Sequence, residues 1–166
     1  MSTRRISFDG LHTYTKDIMR LNADSLSIIG KAVYTGAKVV ADEVKGNLNA
    51  MSTGTNGQAI QAWKKGVKAE LSEEQKKDLI ESFGVAPARN DNGFINVKLG
   101  FDGYNGVVTK RWPKGQPNAL IARSLESGSS AFQKQPFFRP AVKAKEKQAI
   151  KEMEKVLDEE MQKIMK

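Results

Sequence analysis

Apolar residues recur every three or four positions over two long stretches of the chain. Leu26, Ile29, Val33, Ala37, Val40, Val44 and Leu48 fall on one face, which predicts a single helix over 25–49, about 37 Å long. Leu11, Tyr14, Ile18 and Leu21 repeat the pattern upstream, in a shorter helix that Asn22-Ala23-Asp24 is expected to interrupt or bend, with Asp24 capping the longer one. Gly30, Gly36 and Gly46 each weaken the long helix by about 1 kcal/mol relative to alanine, so they mark either close packing or plain tolerance. Val142, Ala149, Ile150, Met153, Val156, Leu157, Met161 and Ile164 form the second stripe, which predicts a closing helix over 139–166.

Shorter signals lie between. Ser72-Glu73-Glu74-Gln75 is a capping box, and Leu79, Ile80 and Phe83 give the helix it starts one apolar face. Gly84 is expected to end that helix in the left-handed conformation, with Val85-Ala86-Pro87-Ala88 as a linker. Asn92-Gly93 turns the chain into Phe94–Phe101, where Ile95, Val97, Leu99 and Phe101 alternate as in a half-buried strand. Turn residues at 102–106 lead to Val107–Trp112, rich in β-formers, so a hairpin of these two runs is expected. Pro117 is placed to open a helix over 118–127 that Gly128 ends, and Pro136 and Pro140 hold an aromatic segment extended. The whole reads as one α+β domain over residues 1–166. Two long amphipathic helices pack around a small antiparallel sheet, and polar loops at 50–70 and 102–116 serve as extended arms.

Composition narrows the chemistry. The chain has no cysteine, which removes disulfides, thiolate catalysis and Cys-ligated metals, and its one histidine, His12, cannot build a multi-histidine site. Gly54-Thr55-Asn56-Gly57 lacks the lysine of a phosphate loop. Asn90-Asp91-Asn92-Gly93 puts Leu99 where a calcium loop needs its glutamate, and no Gly-x-Ser-x-Gly elbow occurs. Glu73, Glu74, Asp158, Glu159 and Glu160 lie among lysines on polar helix faces. No enzyme, catalytic residue, metal or cofactor is therefore expected. No apolar run approaches a membrane span and no signal core follows Met1, so the expected setting is the cytosol.

Lysine and arginine number 27 against 19 acids, a net charge of +8 that is spread along the chain. Trp63 beside Lys64 and Lys65, and Trp112 beside Lys110, Arg111 and Lys114, are either core covers or anchors for a partner. With aromatics to stack on bases and cations for phosphates, these residues define one functional reading, a sequence-independent DNA-binding protein.

Glu126-Ser127-Gly128-Ser129, followed by Pro136-Phe137-Phe138-Arg139-Pro140-Ala141, carries a different reading. With the order of helices, polar Thr-Gly loop and strands from residue 9 to 166, these motifs make the chain resemble the minor tail or tail-completion proteins of the head–tail junction of long-tailed bacteriophages. Where that family usually has a short proline-containing Thr-Gly-x-Leu step, Ser52-Thr53-Gly54-Thr55 lacks the proline and opens into residues 56–90 with their own helix. The resemblance implies a structural virion protein of the tail or neck, assembled in the host cytoplasm. Such a protein closes into a homo-oligomeric ring, hexameric or dodecameric, between tail and head-connector proteins, with a basic lumen for passing genomic DNA. It singles out Glu126, Gly128, Ser129, Pro136, Phe137, Phe138, Arg139 and Pro140. Adjacent side chains of an extended segment face opposite ways, so one of Phe137 and Phe138 is expected inward and the other outward, with Arg139 reaching Glu126 or a nearby carbonyl.

Overall fold

A computed structural model describes residues 9–54, 65–92, 94–108 and 110–165. The expected site residues Trp63 and Lys64 lie outside them, as do residues 55–64 of the 50–70 arm. Helix α1 runs without interruption over Asp9–Ala50, 42 residues or about 63 Å. The expected break at Asn22-Ala23-Asp24 is absent, and Asp24 sits exposed inside the helix rather than capping one. Asparagine and aspartate cost at most about 0.7 kcal/mol each in a helix interior, whereas stopping there would require a second, unfavourable nucleation.

Helix α2, Glu73–Ser82, starts at the capping box: the Gln75 amide donates to Ser72 Oγ (3.1 Å) and the Ser72 amide donates to Gln75 Oε1 (3.2 Å). It does not end on a left-handed Gly84. Phe83 is already extended and begins β1, Phe83–Val85, so the expected linker is partly a strand. β2 (Arg89–Asp91) and β3 (Phe94–Asn96) form a tight hairpin with Asn92 at φ 55° in its turn, and β4 (Leu99–Phe101) returns to pair with β1.

The predicted strand 94–101 is thus cut in two, and both halves pair upstream rather than with Val107–Trp112. Burial decides between the partners. Phe83 stacks on Phe101 with ring centroids 5.0 Å apart and is itself buried. The downstream run carries Lys110 and Arg111, and its Val108 is 65% exposed. The sheet is accordingly two separate two-stranded pieces within the expected α+β class.

The segment 102–118 is a closed loop. Buried Asn105 accepts from the backbone amides of Val107 (3.0 Å) and Gln116 (3.1 Å) through Oδ1, and its backbone N–H donates to the Gln116 carbonyl. Gly115 sits at φ +86°, where an added Cβ would run into the Asn105 carbonyl oxygen.

Helix α3, Asn118–Ser127, covers the expected 118–127, with Pro117 as its N-cap, and Gly128 at φ +78° ends it. Helix α4, Phe138–Ile164, runs antiparallel to α1. Asn47 donates to the Phe137 carbonyl (2.9 Å), Lys145 pairs with Glu43 (3.6 Å), and Lys31 reaches Glu160 (2.5 Å). Hydrogen bonds from Lys163 and Lys31 hold the Glu160 carboxyl down at about 2. The core lies where α1 meets the other helices, around Val44, Leu48, Leu79, Ile121, Leu125, Phe132 and Phe137.

The helix glycines divide accordingly. A Cβ on Gly36 would press on Met153 of α4, so this one marks close packing, whereas Gly46 faces open space and is tolerance. Gly46→Ala is expected to stabilise the fold by about 1 kcal/mol, and Gly115→Ala to destabilise it by about 1–3 kcal/mol. Chemical denaturation of the two variants checks both signs.

Candidate assembly surface

The two motifs singled out in the sequence meet in space, and the meeting point is the start of α4. Phe137, its N-cap, offers no side-chain cap, which leaves the first amides of the helix without an internal acceptor. Glu126, in the last turn of α3, supplies it. Its Oε2 accepts from the amides of Phe137 (2.8 Å) and Phe138 (2.9 Å), and its Oε1 accepts from the amide of Arg139 (3.0 Å). The fourth position is Pro140, which has no N–H to satisfy. Arg139 adds its Nε at 3.9 Å from Glu126 Oε1, so the expected Arg139–Glu126 contact is present as the smaller part of a backbone clasp.

Burial alone would raise the Glu126 carboxyl, but the amides of Phe138, Phe137 and Arg139, with the Arg139 charge, outweigh it and hold the group below its ordinary value. The connecting turn is equally determined. Ser129 Oγ accepts from the amides of Ala131 (3.2 Å) and Phe132 (2.9 Å), and the Gln135 amide donates to the Leu125 carbonyl (2.8 Å). Phe137 points inward, 2% exposed, and meets Phe101 edge-on at 5.9 Å. Phe138 is half-buried against the outer side of the same core. The motif therefore works inside the subunit, and only Pro136, Arg139 and Pro140 of it are exposed for contact with another molecule.

The basic residues are distributed differently. Lys110, Arg111 and Lys114 are exposed on the closed loop, where the Arg111 guanidinium lies 5.9 Å from the centroid of the half-buried Trp112 ring. Lys65 is exposed on another segment, which leads into Ala69 and its bridge to Phe132. The loop rests against α2, where the Gly106 amide donates to Asp78 Oδ2 (2.8 Å). Sequence reasoning missed that neighbourhood, because Asp102–Gly106 reads as a turn and nothing in it announces which helix the turn will touch.

Among the described residues, no helix is long and apolar enough to cross a membrane, and no group of three or more acidic or histidine side chains could hold a metal ion. No family model, curated protein or solved structure matches the chain.

Glu126→Gln keeps one acceptor oxygen, puts an NH2 donor where the other accepts a backbone N–H, and loses the charge, and is expected to cost about 1–3 kcal/mol. Because the folded carboxyl lies below its unfolded value, its contribution is full above that unfolded value and is lost as pH falls through the folded one. Thermal midpoints measured from pH 7 down to pH 2 should therefore fall more steeply in the parent than in Glu126→Gln. In the same assay Phe137→Ala should cost about 3–5 kcal/mol and Phe138→Ala clearly less. Equal losses in the two would show that both rings belong to the core.

Proposed function

We propose that the chain is a structural, non-catalytic virion protein of the phage head–tail junction, which completes the tail or joins it to the head as a homo-oligomeric ring. The observation that carries this reading is the unequal length of the two paired helices. Lys31 of α1 stands opposite Glu160, and α4 ends four residues beyond Glu160. Residues 9–26 of α1 therefore extend roughly 27 Å past the end of α4. This is the stretch in which the sequence sets Leu11, Tyr14, Ile18 and Leu21 at helical spacing. A helix with an apolar stripe that outruns its partner in the subunit is a means of gripping a neighbouring subunit, and repetition of a head-to-tail grip closes a ring.

The order of the Glu-x-Gly-Ser and Pro-Phe-Phe-Arg-Pro-Ala motifs supports the same reading, and the clasp they form fastens the start of α4 to α3. The competing function, sequence-independent binding of DNA, draws on exposed Lys110, Arg111 and Lys114. Their loop, however, is seated against the acidic side of α2, at Asp78, which weakens any continuous track for phosphates.

Electron microscopy and light scattering of the purified chain test the proposal. Closed rings are expected, and a variant lacking residues 1–20 should melt normally yet remain monomeric. A parent that stays monomeric, and binds duplex DNA with a log–log salt slope of about −4 or steeper, would replace the ring with the DNA-binding function.

A further inference from the structure

An acidic cleft lies beside the basic loop on this strongly basic chain. Asp78 and Glu81 of α2, with Ser82, form one wall, and Asp102, Gly103 and Tyr104 form the other, around an open volume of about 390 Å³. Asn118 completes the lining and is 2% exposed. Its Nδ2 donates to the Asp102 carbonyl (3.0 Å), while its buried Oδ1 has no donor among the described residues. That oxygen is buried beneath the cleft, and what the cleft itself presents is the three carboxylates of Asp78, Glu81 and Asp102, which leave it short of positive charge.

The carboxylates are partly engaged already. Asp78 takes the Gly106 amide, Asp102 takes the Gly103 amide at 2.8 Å, and Glu81 has Lys77 at 3.8 Å on the exposed surface. None of these neutralises Asp78 or Asp102. The described acids are too dispersed to share one metal ion. A planar guanidinium, with five N–H groups in a fixed fork, matches dispersed acceptors, and Tyr104, 60% exposed at the rim, offers a ring face to stack on it.

We infer that this cleft is a binding site for an arginine side chain, and that its occupant is Arg111 from a second copy of the chain, flanked by Lys110 and Lys114. All three cations are exposed, and no described acid forms a salt bridge with them. The loop that carries them springs from the cleft's own rim at Gly103-Tyr104, so cleft and loop adjoin on one face. Two copies related by a two-fold axis lay each loop over the other's cleft, and the contact is made twice. This pairing does not rest on the ring reading, because it can join two rings face to face or two free subunits.

Sedimentation of three species tests it: the parent, Lys110→Glu/Arg111→Glu/Lys114→Glu, and Glu81→Lys/Asp102→Asn, in which asparagine retains the acceptor for the Gly103 amide. Each variant alone should pair at least about tenfold more weakly than the parent. An equimolar mixture of the two should pair more tightly than either, since one of the two contacts again joins the three cations to the intact acidic cleft. Parent pairing should weaken with added salt. The chain has no cysteine, so mixing Lys114→Cys with Glu81→Cys under mild oxidation gives a readout independent of affinity and of any other interface, namely a crosslinked heterodimer. Unchanged pairing in both variants, a mixture no tighter than its components, or no crosslinked heterodimer would each overturn the inference. Rings that persist in any of those cases would leave the ring proposal standing.

Discussion

A carboxylate at the start of another element's helix organises this molecule. Helix α4 lacks a capping side chain of its own, and Glu126 of α3 takes its three available amides while Pro140 removes the need for a fourth. A negative charge is favoured there by the helix dipole as well as by the hydrogen bonds. The consequence reaches beyond one cap. Once the amide of Phe137 is bound, its carbonyl is presented to Asn47 of α1 and its ring to Phe101 of β4. Elements α1, α3, α4 and β4 thus meet around one residue, which joins the Asn47 end of the α1–α4 pairing to the strand and to α3.

How much of this was legible depends on the range of the physics involved. The Ser72–Gln75 box and the stop at Gly128 act within one or two turns and are found where their patterns put them, and the two stripes do mark helices, although Leu26, Ile29, Val142, Ile150 and Met161 of those stripes are exposed and α1 starts well before residue 25. Strand partners were not legible. Phe94–Phe101 alternates equally well whichever segment it joins, and the choice was made by burial of Phe83, a residue whose spacing also suits the apolar face of α2. The candidate site was half legible. Arg139 was expected near Glu126, but that the acid would hold three backbone amides could not be read from side-chain types, because nearly every residue carries an amide.

The polar loops show the same limit from the other side. Low apolar content at 102–116 suggests an open arm, since ordering a residue costs about 1–2 kcal/mol and little burial is on offer. Backbone hydrogen bonding can substitute for burial when a side chain organises it. Asn105 and Asn118 do so here, one closing the loop through its Oδ1 and the other fastening its end to the Asp102 carbonyl. The loop is therefore built as a shaped projection with its cations at the tip, and not as a tether.

Charge and length together then distinguish the surfaces. A protein that tracked DNA would gain from spreading its cations away from acids, because each nearby carboxylate lowers the local potential that attracts phosphate. Here the loop with Lys110, Arg111 and Lys114 is anchored to Asp78, beside Glu81 and Asp102. That juxtaposition of opposite charges on one face is costly for binding a polyanion and favourable for recognising a second copy of the same face. The long helix is a feature of a different kind, since its residues 9–26 pass the end of α4 as a continuation of the packed part and need no nucleation of their own. Cations alone would suit phosphate, so what separates the two uses of the loop's face is the acidic cleft beside them, which repels a polyanion and attracts a second basic loop.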